Sequence, residues 1–127
     1  MTLLDRLNIR HPIFLAPMAG VSTPELAAEV TNQGGLGSLG LGSSSIESAR
    51  AQILKTKQLT DGSFQLNFFC HTPTELNQDQ NTAWINYLTP HFEKFSATAP
   101  SELKCVYSSF LDNDDYLNLV LEAKPKA

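Results

Sequence analysis

The chain of 127 residues reads as an α/β protein assembled from βαβ units around a parallel sheet. Three observations carry that reading. Apolar runs at residues 13–17, 36–41 and 64–69 are too short for helices and long enough for strands. Amphipathic patterns with capping signals separate them. Each intervening stretch can return the chain through a helical crossover, which parallel neighbours require. Composition agrees: 42% apolar and 17% charged residues, with seven glycines and seven prolines, describe a globular domain and exclude collagenous, coiled-coil and disordered classes.

The first run, Ile13 to Pro17, shows no alternation of apolar and polar side chains, as expected of a buried strand covered on both faces. Past Gly20 the pattern turns helical. Ser22 and Glu25 have capping-box spacing, Thr23-Pro24 offers a competing cap, and Leu26, Ala27 and Val30 share a face, so a helix runs over residues 23–32. Gly34-Gly35 ends it, because glycine best supplies a left-handed closing residue. Leu36 to Leu41 forms a second strand despite its glycines. Ser44 and Glu47 repeat the capping-box spacing for a helix whose face holds Ile46, Ala49, Ile53 and Leu54, with Lys55 and Lys57 favouring its C-terminus. Asp61-Gly62 is a turn, and Phe64 to Phe69 (FQLNFF) is a third, aromatic-rich strand.

Beyond Cys70, Thr72-Pro73 opens a loop. Ala83, Trp84, Tyr87, Leu88, Phe92 and Phe95 then trace a helical stripe that Pro90 interrupts, which predicts a kinked or broken helix. Residues 96–103 read as a linker and residues 105–110 as a short extended segment. Asp112, Asp114 and Asp115 ahead of Leu117, Val120 and Leu121, with Lys124-Pro125 behind, predict a helix over residues 113–123 with its dipole complemented at both ends. Such a helix should deliver the chain to another strand, and no strand is left.

Nine basic and thirteen acidic side chains give a net charge of −4, and Arg6, Arg10 and Arg50 form no basic stripe, so nucleic acid is not an expected partner. No apolar run approaches the ~18 residues of a spanning helix, and MTLLDRLNIRHP lacks the features of a secretory signal. The expectation is a cytoplasmic protein away from the membrane. Cys70 and Cys105 stand apart from any CxxC or His/Cys cluster, so neither zinc nor a disulfide framework is expected.

Gly35-x-Gly37-x-x-Gly40 fits the dinucleotide fingerprint by letter, with Asp61 near the distance at which an acid is wanted. Context argues against it, because the fingerprint needs its glycines between a strand and a helix, whereas a helix precedes these and they run through the strand. Close packing is the simpler role for them. The segment Ala16 to Val21 follows a strand and offers main-chain groups at its C-terminal end, where α/β folds bind ligands; an ordinary βα loop reads the same way. Asn67 places an amide in an apolar strand, and burial of that amide requires partners, either a ligand or neighbouring backbone. His71, just past that strand, lines the same region or is solvated surface.

PIFLAPMAGVSTPELAAEVTNQGGLGSLGLGSSSIESAR, Pro12 to Arg50, resembles the N-terminal signature of the nitronate monooxygenase (2-nitropropane dioxygenase-like) family, and FQLNFF resembles its third strand. The resemblance is specific over residues 12–70 and fades beyond them. It implies the N-terminal portion of a TIM-type (β/α)8 barrel with parallel strands, incomplete in this chain: about three βα units and a helical excursion, with no second domain. It also implies an FMN-dependent oxidation of alkyl nitronates by molecular oxygen to a carbonyl compound and nitrite. Carried over by position, it assigns the main chain of Pro17, Met18 and Gly20, and the Asn67 side chain, to FMN. Family members are well over twice as long, and their catalytic histidine and phosphate-binding glycines lie beyond the position of Ala127. No catalytic residue and no metal ligand is therefore assigned here, and the chain is expected to be a truncated piece, inactive and self-associating alone. Two other readings stand beside this one: an FMN-containing, NAD(P)H-dependent enoyl-acyl-carrier-protein reductase of the same fold family, and a non-catalytic remnant or interaction module.

Overall fold

Capping chemistry sets the order of elements in the computed structural model, which describes residues 1–73 and 75–127. Helix α1 (Leu3–Leu7) is held by a reciprocal box in which the Asp5 N–H donates to Thr2 Oγ1 at 3.2 Å and the Thr2 N–H donates to Asp5 Oδ2 at 2.7 Å. The sequence reading had no element there. At α2 (Pro24–Asn32), Thr23 wins the competition of caps, accepting from the Leu26 N–H with Pro24 in the first turn. Gly34, at φ +91°, closes the helix as expected. Helix α3 (Ile46–Leu59) is capped by Ser45 rather than Ser44. Helix α5 (Asp114–Ala123) begins at Asn113 and ends on Lys124 at φ 49°, close to its expected bounds.

Two strands, β1 (Gly37–Gly40) and β2 (Phe64–Asn67), pair in parallel with Gly37 opposite Phe64 and Gly40 opposite Asn67. Both are shorter than the apolar runs that announced them. The expected first strand at residues 13–17 is a single parallel bridge, Phe14 to Leu36, closed by Leu15 N–H to Leu36 O at 2.9 Å and Leu36 N–H to Ile13 O at 2.8 Å. Nor is it buried: Ile13 is 60% and Phe14 45% exposed, because the segment is paired along one side only. At the other edge the Lys126 N–H donates to Phe64 O at 3.2 Å and the Leu66 N–H to Ala127 O at 3.0 Å. The chain thus does return to the sheet after α5, contrary to expectation. Segments 13–15, β1, β2 and 126–127 therefore lie side by side in sequence order, as in a βα barrel and unlike a doubly wound sheet, whose order reverses at a switch point.

The two-residue period gives the sheet distinct faces. Gly37, Leu39, Phe64 and Leu66 form one set, and Leu39 and Phe64 pack with Ala27, Ala49, Ile53 and Leu119 in the helix-covered core. Gly37 is obligatory there, since a Cβ would stand 2.2 Å from the Ala27 carbonyl oxygen. Leu36, Leu39 and Leu41 are fully buried, and each such side chain contributes roughly 1.5–3 kcal/mol. Ser38, Gly40, Gln65 and Asn67 form the opposite set, where Gln65 Nε2 donates to Ser38 Oγ at 3.1 Å.

Two compact units divide the chain, residues 1–72 with 107–127, and residues 73–106. The second unit holds α4 (Gln78–Lys94), which runs unbroken through Pro90 rather than breaking there. Pro90 leaves the Asn86 carbonyl without its helical donor, and Asn86 is exposed, so water can replace it. Trp84 and Tyr87 stack on its exposed surface with centroids 5.4 Å apart. In the first unit, residues 107–109 are loop rather than strand and lead into a 3-10 turn at Phe110–Asp112. Two isolated bonds tie that stretch down: Ser109 Oγ to His71 O at 2.6 Å and Phe110 N–H to Phe69 O at 2.7 Å.

Candidate functional site

The candidate site lies at the C-terminal ends of the parallel strands, where the Pro17–Gly20 loop meets β1. Residues 18–21 form a turn in which the Val21 N–H donates to Met18 O at 3.1 Å. Gly20, third in the turn at φ +74°, supplies the left-handed conformation that a type II turn demands. One glycine on β1 admits the loop: a Cβ on Gly40 would lie 3.0 Å from Ala19 N, 3.1 Å from the Met18 carbonyl carbon and 3.2 Å from that of Pro17. Gly40 is the register partner of Asn67. The structure therefore brings Pro17, Met18 and Asn67 to one end of the sheet, on the face that carries Ser38 and Gln65, with Gly20 in the same turn.

Asn67 is not the buried amide that its neighbours suggested. It is exposed, because the alternation of β2 turns it away from the helix-covered core. Its carbonyl accepts from the Leu41 N–H at 2.9 Å, while its side-chain amide has no hydrogen-bond partner among the described residues. It also borders an apolar cavity of about 310 Å³ lined by Leu66, Phe68, Phe110 and Val120 on the side of α5, and no residue of the Pro17–Gly20 loop lines that cavity. The N–H groups of Ala19 and Gly20 likewise donate to no acceptor among the described residues. A larger cleft, of about 640 Å³, is lined by Lys57, Asp61, Glu122, Lys124 and Lys126 at the opposite, N-terminal end of β2. Mixed charge and distance from the loop separate it from the candidate site. His71 is exposed, and its carbonyl is the acceptor for Ser109.

Ser22 is the residue the sequence reading misplaced. Released from capping by Thr23, it is only 3% exposed; its hydroxyl donates to Ala16 O at 2.7 Å and accepts from the Met18 N–H at 2.9 Å. Two cap candidates in front of one helix were the available signal. Gly40 carries no signal in the sequence beyond that of a packing glycine.

Comparison with known proteins places the chain in a family. The nitronate monooxygenase family profile matches residues 1–108. A nitronate monooxygenase of Paraburkholderia phytofirmans is 50% identical over 97% of the chain, and one of Pseudomonas aeruginosa is 46% identical over 95%. In each case the chain spans about a third of the relative's length, 34%. Among solved structures, nitroalkane oxidase from Streptomyces ansochromogenes superposes with a TM-score of 0.73 at 29% identity, covering 94% of this chain and 33% of its own. FabK from Thermotoga maritima superposes at 0.53 with 32% identity, covering 75% of this chain and 27% of its own. The fold is the N-terminal portion of a TIM-type (β/α)8 barrel. Among the described residues no helix is long and apolar enough to cross a membrane. By profile, identity and fold, the chain belongs to the nitronate monooxygenase family of flavin-dependent oxidoreductases.

Proposed function

We propose that this chain forms the first βα units of an FMN-binding barrel that oxidises alkyl nitronates with molecular oxygen. The observation that carries the reading is the donor set at the strand ends: the Ala19 and Gly20 N–H groups and the Asn67 amide, none with a protein partner among the described residues. A flat heterocycle with polar edges fits such a set, because a few fixed donors meet its rim. The Gly20 N–H and the amide of Asn67 would hold FMN by hydrogen bonds, and the main chain of Pro17 and Met18, whose own N–H is taken by Ser22, would pack against it. FMN, when bound, supplies the redox chemistry, and the protein orients and tunes it. These residues position the ring and exclude water; the proton-transfer group belongs to another part of the barrel.

The test grafts this chain in place of the matching third of the Paraburkholderia phytofirmans relative. FMN retention and oxygen uptake with an alkyl nitronate support the reading. NADH consumption with an enoyl thioester, without oxygen uptake on a nitronate, supports the enoyl reductase instead; neither activity supports a non-catalytic module. Asn67→Ala in the graft should weaken FMN binding several-fold, the effect of losing one neutral hydrogen bond of ~1 kcal/mol.

A further inference from the structure

We propose that Ser22 is a positioning residue that sets the flavin-facing loop, and that Gly40 is the seat on which it sets it; this rests on the proposed FMN reading. Ser22 reaches the loop at three points. Its hydroxyl donates to Ala16 O at 2.7 Å and accepts from the Met18 N–H at 2.9 Å, while its own N–H donates to Met18 O at 2.8 Å. These bonds bracket Pro17 and engage the Ala16 carbonyl and both polar main-chain groups of Met18. Ala19 and Gly20 are left with unclaimed N–H groups. The hydroxyl thus decides which donors of the turn stay available.

Helix α2 fixes the clamp in space. Thr23 caps that helix and Ser22 directly precedes it, so the hydroxyl is anchored to a rigid element rather than to the loop it holds. From the other side, Gly40 lets Pro17, Met18 and Ala19 sit against β1 at the level of Asn67. Clamp and seat together hold the loop beside the Asn67 amide on the next strand. A serine serving only packing would need no paired donor and acceptor, and one serving as a cap would bond α2 instead of residues 16 and 18.

Amide exchange in the 127-residue chain reads the clamp without any flavin. In Ser22→Ala the Met18 N–H should exchange several-fold faster, as loss of a typical hydrogen bond implies, while Leu39 in β1 keeps its protection. Ser22→Thr, which retains the hydroxyl, should restore Met18 protection. In the grafted barrel, Ser22→Ala and Gly40→Ala should each weaken FMN binding and shift its visible absorption spectrum. Unchanged Met18 exchange overturns the clamp. Faster exchange of Met18 and Leu39 alike shows general destabilisation and also overturns it. Faster Met18 exchange with unaltered FMN affinity and spectrum, while Asn67→Ala still weakens FMN, overturns the positioning role and leaves the FMN reading standing. A graft that binds no FMN even with Ser22 intact removes the FMN reading and this role with it.

Discussion

At the scale of single residues, glycines divide into those that bend the chain and those that let two parts of it touch. Gly20 bends: its φ is +74° and nothing lies within 4 Å of where a Cβ would stand. Gly37 permits contact, for a Cβ there would meet the Ala27 carbonyl oxygen at 2.2 Å and Thr31 Oγ1 at 2.4 Å. That oxygen belongs to helical backbone and cannot rotate away. Gly37→Ala should therefore separate β1 from α2 and destabilise the chain by about 1–3 kcal/mol, the usual cost of overpacking a close contact. Denaturant unfolding measures it, and a midpoint unchanged from the parent would show that the sheet slides to make room. Glycine spacing carried this packing role in the sequence, since a fingerprint running through a strand has no turn in which to hold a phosphate. The environment of Asn67 was not legible. Flanking Leu66 and Phe68 suggested burial, but which face of a strand a partner covers is a tertiary fact that neighbours in sequence do not carry.

Elements were readable where their ends are fixed locally. Thr23-Pro24 and Gly34 bound α2, and Asn113 with Asp114 and Asp115 opens α5, all within a turn of the boundary they set. Strand lengths were not, because a strand ends where its partner's hydrogen bonds end: β2 stops at Asn67, opposite Gly40, while the apolar run continues to Phe69. Local capping also makes two helix ends sensitive to acid. The Asp5 carboxyl is held below its ordinary value first by the Thr2 backbone N–H and then by the Thr2 hydroxyl. Glu47 is lowered by its own backbone N–H and then by the Ser45 side chain. Both pKa values are depressed in the folded state, so each contribution is present above the unfolded value and disappears as pH falls through the lowered one. The starts of α1 and α3 should fray below about pH 4, where carboxylates of ordinary pKa protonate. Carboxyl titration by NMR, with amide exchange at Asp5 and Ser48, checks this, and a titration of Asp5 at or above its ordinary value would contradict the box.

On the scale of the whole molecule, the arrangement of strands says more than any one site. A parallel sheet laid down in sequence order curves toward closure, and its interior face is polar only where something polar meets it. Here that face carries Ser38, Gln65 and Asn67, and the edge segment at residues 13–15 bonds to Leu36 on one side while Ile13 and Phe14 remain exposed. Open strand edges and exposed large apolar side chains recruit further strands, from another copy or from complementary barrel. Two outcomes are expected of the 127-residue chain in solution. By light scattering, its mass should rise with concentration, and it should purify with little flavin, since the proposed FMN donors lie on one side only. Adding the C-terminal two-thirds of the Paraburkholderia phytofirmans relative as a separate polypeptide should suppress self-association and restore FMN binding, because the same edges would then be paired. A yellow, monomeric chain active on a nitronate without that complement would mean that these strands suffice to hold FMN, and that the strand-end donors at Ala19, Gly20 and Asn67 form a site without the rest of the barrel.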